Sequence, residues 1–91
     1  MSTALALSTA LDDPRSLRLE QLVALLEGFG LPWLWKSEHG WSCHVEMAVS
    51  VAGAEYKIRS GLRHRTPMAA AMECAERVRA ALQSRDAGRL A

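Results

Sequence analysis

A basic segment between residues 57 and 65 carries the side chains that could most directly bind a charged partner. It contains no acidic residue, and its basic residues are Lys57, Arg59, Arg63, His64 and Arg65. Such a segment can bind phosphates or an acidic protein surface. It can also be a solvated strand whose charges prevent edge-to-edge association. Because the net charge is only +1, an acidic protein is favoured over a nucleic acid as the partner.

Three tryptophans, Trp33, Trp35 and Trp41, form a second group of interest. They could anchor a protein interface or stack against nucleic-acid bases. They could equally fill the core of a chain that has only one Phe and one Tyr, and for the group as a whole this interpretation is favoured. Pro32 predicts a strand at the edge of a sheet. We therefore expect at least one of Trp33 and Trp35 to be partly exposed, on an edge open to strand addition by a partner or a second copy.

Neither a metal site nor a catalytic site is predicted. Cys43 and Cys74 lie on apolar stripes and are expected to be small core residues, where a thiol has a raised pKa and is a poor nucleophile. Cys43 and His44 are neighbours on a predicted strand and point to opposite faces, so they cannot easily bind one ion together. Glu73 and Glu76 are expected to be exposed on a helix. We predict no cofactor and no enzymatic activity.

The central element that must position these residues is a strand over residues 41–51. Its odd positions are all apolar and its even positions are not, which indicates one buried and one solvated face. His44 and Glu46 fall on the solvated face. A turn at Ala52-Gly53 would lead into a third strand over residues 55–62. That turn places Glu46 opposite Arg59, whereas a longer turn would shift the register by two and break the pair.

Two helices and a short strand complete the predicted domain. Asp13-Pro14 predicts a helix start, and the helix should run to about Glu27, with Gly28 in a left-handed terminal conformation. Residues 31–37 read as the edge strand. Thr66 and Pro67 predict the start of the second helix. Its expected buried stripe is Ala71, Cys74, Ala75, Val78 and Leu82.

The length of 91 residues indicates one small domain. We assign it to residues 13–83, with a flexible arm over residues 1–12 and a frayed tail over residues 84–91. A short helix through the Ala and Leu residues of the arm is the alternative. No apolar run approaches the roughly 20 residues of a membrane span, and the start of the chain lacks the basic region of a signal peptide. Together with the two cysteines, this predicts a reducing, cytoplasmic location.

The order helix, strand, strand, strand, helix predicts an α+β fold in two layers, a three-stranded antiparallel sheet with both helices on one face. This layout resembles the double-stranded-RNA-binding domain. The resemblance rests on the strand-turn-strand pattern and on small residues in the second helix, namely Val45, Met47, Val49, Val51, Gly53, Tyr56, Ala70, Cys74 and Ala75. It implies RNA binding. Where that family has a K-K-x-A-K signature, this chain has Pro67-Met68-Ala69-Ala70-Ala71.

The chain is also similar, in its small size and compact composition, to accessory proteins of phages and prophages such as anti-CRISPR inhibitors. We therefore predict a non-enzymatic protein that binds another protein, as an inhibitor or regulator from a mobile element. RNA binding is the alternative, and a structural homodimer is a further one. The expected binding residues are Trp33, Trp35, His44, Lys57, Arg59, Arg63, His64 and Arg65.

Overall fold

The structure is a computed structural model, and it describes residues 3–47, 56–61 and 63–90. The strands form one antiparallel sheet in the order β1-β2-β3. The predicted α+β class and the three-stranded antiparallel sheet are therefore confirmed, with more helix than expected. The elements are α1 (Thr3–Asp12), a 3₁₀ turn (Pro14–Ser16), α2 (Leu19–Glu27), β1 (Gly30–Ser37), β2 (Gly40–Met47), β3 (Tyr56–Arg59) and α3 (Pro67–Leu90).

Helix α1 lies in the segment for which a flexible arm was predicted, and it agrees with the alternative of a short helix through the Ala and Leu residues. Leu7 and Leu11 are 0% and 7% exposed and belong to the hydrophobic core. The end of α1 is tied to α3, because Arg79 Nη1 lies 2.8 Å from Asp12 Oδ1. Leu7 and Leu11 share one helical face, but two leucines among small residues make a weak period. Tertiary packing, which the local pattern does not reveal, stabilises the helix.

The first predicted helix starts later than Asp13-Pro14. The Asp13 side chain makes no capping hydrogen bond, and Pro14–Ser16 forms a single 3₁₀ turn. Helix α2 begins at Leu19, where the backbone N–H of Arg18 donates to Gln21 Oε1 at 2.9 Å. This reciprocal bond satisfies a backbone donor at the helix start. It fixes the start about one turn and a half beyond the position that the Asp-Pro signal indicates.

The backbone conformations of Gly28 and Gly40 differ from those that the sequence predicts. Helix α2 ends at Glu27 as predicted, but Gly28 has φ −67° and ψ −15°, so the left-handed conformation predicted for it is wrong. The positive φ occurs instead at Gly40, with φ 135°, in the tight turn between β1 and β2. A Cβ atom built on Gly40 would lie 2.6 Å from His64 O. Position 40 therefore needs glycine for both backbone conformation and space.

The register between β2 and β3 pairs His44 with Arg59 and Glu46 with Lys57. The predicted pairing of Glu46 with Arg59 is wrong by two residues. Lys57 Nζ lies 3.5 Å from Glu46 Oε1 and takes the place of that pair. The turn expected at Ala52-Gly53 lies outside the described residues, as do the ends of the predicted strands at positions 48–51, 55 and 62.

A bulge follows β3. The backbone groups of Trp41 and His64 bond to each other, with Trp41 N–H to His64 O at 2.8 Å and His64 N–H to Trp41 O at 3.3 Å. His64 stands two residues further along than the β2–β3 register requires. The pairing therefore contains two extra residues between Ser60 and His64, and we call this irregularity the bulge. Ser60 Oγ fills part of the gap by accepting the Cys43 N–H at 2.9 Å.

Helix α3 begins as predicted and ends later. Thr66 Oγ1 accepts the N–H of Ala69 at 3.1 Å, which confirms the N-cap. The helix extends to Leu90, beyond residue 83 where the predicted domain ends. Extending an existing helix through most residues of this segment has only a small free-energy cost. The predicted buried stripe is confirmed, and Ala70 extends it; the stripe is Ala70, Ala71, Cys74, Ala75, Val78 and Leu82.

One core cluster draws on the helices and the sheet. Leu7, Leu22 and Val78 come from different helices, and all are 0% exposed. Cys43 and Val45 of β2 contribute one face of the sheet to the same cluster. Among the described residues, the structure has no helix that is both long and apolar enough to cross a membrane.

Candidate binding surface

The sheet face opposite Cys43 and Val45 bears exposed apolar side chains. Leu31, Trp33 and Trp35 alternate along β1 and are 54%, 50% and 38% exposed. Within the part of the chain whose side chains are described, Leu5 of α1 is the other large hydrophobic residue exposed to this degree. Contiguous exposed apolar patches of a few hundred Å² are often functional, so this face is the candidate surface.

Cross-strand pairing sets these side chains beside charged ones. Trp33 pairs with His44, which pairs with Arg59. Leu31, Glu46 and Lys57 form the parallel row. Since neighbouring strands lie about 4.8 Å apart, each row spans roughly 10 Å across the sheet. We call this surface the open face; it comprises Leu31, Trp33, Trp35, His44, Glu46, Lys57 and Arg59.

His44 holds the two exposed tryptophans in position. Its ring stacks on Trp33 with centroids 6.0 Å apart and an interplanar angle of 30°. It meets Trp35 in an edge-on arrangement at 5.1 Å. Burial lowers the pKa of His44, and the cations Lys57 and Arg59 add to this against the opposing effect of Glu46. The imidazole is therefore neutral at pH 7 and serves as an aromatic support.

The tryptophans divide between the surface and the core. Trp33 and Trp35 do not fill the core, so the interpretation favoured for the group is wrong for these two. Trp41 is half-buried and packs against the core cluster. Leu34 points the other way from its two tryptophan neighbours and also packs on that cluster. The alternation along β1 is clear in the sequence, but choosing its buried face requires the position of the helices.

The charges of the open face are incompletely balanced. Lys57 and Glu46 form a half-exposed ion pair, which contributes little stability. Arg59 is exposed, and its guanidinium has no ion pair among the described residues. With Lys57 and Arg59 at +2 and Glu46 at −1, the surface carries +1. The free cation lies in the same row as Trp33, so the surface offers an aromatic and a cationic contact side by side.

The structure divides the predicted basic segment. Lys57 and Arg59 lie on the open face, together with three other predicted binding residues. His64 instead turns toward α3, with Nε2 3.3 Å from Glu73 Oε1. Arg63 and Arg65 are exposed beyond the bulge and take no part in the rows of the open face. The basic residues therefore do not form one continuous track.

Glu73 has a role that the helical pattern does not predict. We expected its side chain to face water, but it is only 33% exposed and accepts the backbone N–H of Gly61 in the bulge. Arg77 Nη2 lies 3.7 Å from Oε1 of the same carboxylate. The Gly61 N–H, helped by His64 and Arg77, lowers the pKa of Glu73 against the effect of burial. No local sequence signal marks this contact, because it depends on the bulge.

One backbone oxygen on the outer edge of β3 is already hydrogen-bonded to a side chain. Arg59 pairs with His44, and Arg77 Nη1 donates to Arg59 O at 2.7 Å. Arg77 thus occupies a backbone acceptor that an incoming strand would need.

The outer edge of β1 can be assigned from the ladder. Cys43 O accepts the N–H of Ser60 at 2.8 Å, so odd residues of β2 bond toward β3. In an antiparallel sheet backbone bonds alternate sides along the strand, so even residues of β2 bond toward β1. The register pairs even residues of β2 with odd residues of β1. The backbone N–H and C=O groups of the odd residues of β1 therefore bond to β2, and those of the even residues point away from the sheet. Pro32 is one of the outward residues, in agreement with the edge position predicted for it.

The described residues include no group of three or more His, Cys, Asp or Glu side chains that could hold a metal ion. Cys43 and Cys74 are buried free thiols at the contact of β2 with α3. The hydrogen bond to Cys43, together with burial, raises the pKa of Cys74. The same hydrogen bond lowers the pKa of Cys43 against the effect of burial, so the raised pKa predicted for both thiols is wrong for Cys43. Both side chains belong to the hydrophobic core cluster, as predicted.

No protein-family model matches this chain, and comparisons with curated proteins and with solved structures find no match.

Proposed function

We propose that this protein is a small non-enzymatic module that binds another protein through the open face of its sheet. The observation that carries the proposal is the exposure of Leu31, Trp33 and Trp35 along one strand. Tryptophan and arginine are the residues most enriched among interface hot spots. Here Trp33 and Arg59 lie in one row, and His44 already fixes the ring beside them. Such preorganisation lowers the entropy cost of binding.

The proposal includes a two-layer arrangement in which the helices cover the other face of the sheet. In that arrangement the open face is the large solvated side of a cytoplasmic domain. A regulator or inhibitor from a phage or another mobile element, similar in kind to anti-CRISPR proteins, fits a small domain with one such surface.

A protein is a better partner than RNA on the balance of charge. An RNA strand needs a track of cations along its phosphates. The open face instead places Glu46 between His44 and Lys57, and His64 is directed to Glu73. Among the described cations of the open face, Arg59 is the one without an ion pair, and it lies beside the aromatic rings. This combination suits an apolar segment that carries a single carboxylate.

The binding test compares the wild type with a double variant, Trp33→Ala with Trp35→Ala, as tagged baits in extract of the source cell. Leu5→Ala is the matched control, because it removes an exposed hydrophobic side chain from α1. We expect a partner recovered by the wild type and the control but lost by the double variant. With the purified partner, loss of hot-spot contacts worth about 2 kcal/mol or more weakens binding roughly 30-fold or more. Undiminished recovery by the double variant would contradict the proposal.

RNA binding is a second candidate, because Trp33 and Arg59 together could stack a base and hold a phosphate. Binding of single-stranded and duplex RNA should be measured between about 50 and 200 mM salt, where phosphate contacts weaken steeply. Arg59→Ala and the pair Arg63→Ala with Arg65→Ala separate the open face from the segment beyond the bulge. RNA affinity that falls with salt and with Arg59→Ala would replace the protein proposal. No affinity in any salt would remove RNA from consideration.

A further inference from the structure

The outer edge of β1 presents an unusual set of free backbone groups. Pro32, Leu34 and Lys36 direct their backbone groups away from β2, as the ladder requires. Leu34 and Lys36 each offer an N–H and a C=O, and Pro32 offers a C=O alone. At the opposite edge of the sheet, Arg77 occupies one outward acceptor, Arg59 O. Among the described residues, no hydrogen bond occupies the outward groups of β1, so a strand can be added at this edge.

We propose that the edge of β1 pairs with β1 of a second copy of this chain, antiparallel about a two-fold axis beside Leu34. The register is set by the outward groups. Leu34 of each copy lies opposite Leu34 of the other, and the two residues exchange both of their backbone hydrogen bonds. Lys36 N–H of each copy donates to Pro32 C=O of the other. Because Pro32 has no N–H, the second hydrogen bond of that pair, from residue 32 to the Lys36 C=O of the other copy, is absent.

The same register makes the side chains self-complementary. It places Trp33 of each copy opposite Trp35 of the other, so four indole rings form one cluster on the enlarged open face. Aromatic pairs directly opposite each other stabilise antiparallel strands. On the other face, Leu34 meets its own copy. Lys36 lies opposite Pro32, so no like charges are opposed. A two-fold interface requires this kind of self-complementarity, which an unrelated partner strand would have to match by chance.

The size of the surface sets the strength of the dimer. Given the exposed fractions of Leu31, Trp33 and Trp35, their accessible area is on the order of 300 Å². A stable interface buries about 800 Å² on each partner. Strand pairing at this edge alone should therefore give a reversible dimer whose population rises with concentration. The open faces of both copies remain on one side of the joined sheet, so this inference goes beyond partner binding and does not depend on it.

The test is the molar mass in solution, measured by sedimentation equilibrium from about 1 μM to 1 mM, the range over which a weak complex forms. The mass should rise from 10.0 kDa toward twice that value. Lys36→Pro removes an outward N–H and leaves the ladder to β2 intact, so it should stay at the mass of one chain across the range. Lys36→Ala is the matched control, because it loses the same side chain and keeps the N–H. It should dimerise like the wild type.

A second variant guards against misfolding of Lys36→Pro. Trp33→Lys with Trp35→Lys changes exposed side chains only and sets like charges opposite each other in the proposed register, so it should also remain single. Circular dichroism confirms that each variant keeps its fold. A wild type that stays at 10.0 kDa throughout, or folded Lys36→Pro that dimerises like Lys36→Ala, would overturn the proposal. Lys36→Pro should still capture the partner of the open face, so the two proposals can fail separately.

Discussion

Replacing Glu73 by alanine should destabilise the fold, although the residue looks like an ordinary surface glutamate. Its carboxylate accepts the Gly61 N–H and lies 3.3 Å from His64 Nε2. Glu73→Ala leaves a partly buried backbone donor without its partner and removes the attraction to His64 and Arg77. A hydrogen bond to a charged group contributes about 1.5–3 kcal/mol. Because water reaches a third of the side chain, we expect a loss near or somewhat below the lower end of that range, about 1–2 kcal/mol.

The loss should appear as a lower melting temperature. For a domain of this size, 1 kcal/mol corresponds to roughly 4–8 °C, so Glu73→Ala should melt about 4–16 °C below the wild type. Glu73→Gln keeps an acceptor for the Gly61 N–H but loses the charge, and it should fall between the two. Glu76→Ala on the same helix is the control. Its exposed side chain should change stability by less than about 0.5 kcal/mol.

The pH dependence identifies the carboxylate as the cause. The native pKa of Glu73 is lowered, so its stabilising effect is complete above the ordinary glutamate pKa of about 4.3. It is lost as the pH falls through the lower native pKa, where the folded state must also take up the proton. The gap in unfolding free energy between the wild type and Glu73→Ala should therefore be constant near pH 7 and shrink in acid. A Glu73→Ala protein as stable as Glu76→Ala at pH 7 would refute the role assigned to this contact.

Three further substitutions test other parts of the structure. Leu7→Ala should cost about 2–5 kcal/mol in urea denaturation, whereas Leu5→Ala should cost less than about 0.5 kcal/mol; equal, small effects would mean that α1 does not pack on the core. Gly40→Ala should cost at least about 1–3 kcal/mol, since its Cβ would meet His64 O, and an unchanged melting temperature would contradict this. The native pKa of His44 is lowered mainly by burial, so the unfolded chain takes up the proton first and stability should fall as the pH drops below about 6.5. In His44→Gln this part of the pH dependence of stability should disappear. A variant whose stability falls with pH as steeply as that of the wild type would contradict the burial of His44.

The elements with strong periodicity could be predicted from the sequence. The alternation around Cys43 and Val45 identified β2, and the spacing of Cys74 and Val78 identified the buried side of α3. Thr66 before Pro67 predicts the start of that helix, because a capping side chain acts on the backbone beside it. The same kind of signal at Asp13-Pro14 gives only a 3₁₀ turn. These features depend on residues close together in the chain, so no knowledge of the fold was needed.

The errors arose where a distant contact decides the outcome. The burial of Leu7 depends on α2 and α3, and nothing in the first 12 residues indicates it. The register of Glu46 depends on a turn whose length could not be read from its glycine. The contact of Glu73 follows from the bulge, which in turn follows from the pairing of Trp41 with His64. For the binding surface, the sequence supplied Trp33 with the correct edge strand, but the exposed side of that strand required the position of the core.

The hydrogen bond from Arg77 to Arg59 O has a consequence for how far this sheet can grow. Exposed sheet edges are templates for fibres, because each added strand offers a new edge to the next molecule. Here a guanidinium from the protein's own helix occupies one backbone acceptor on the outer edge of β3. If the edge of β1 is joined to its own copy about a two-fold axis, both outer edges of the product carry this same guanidinium. Pairing about a closed two-fold axis with such edges disfavours the addition of further chains.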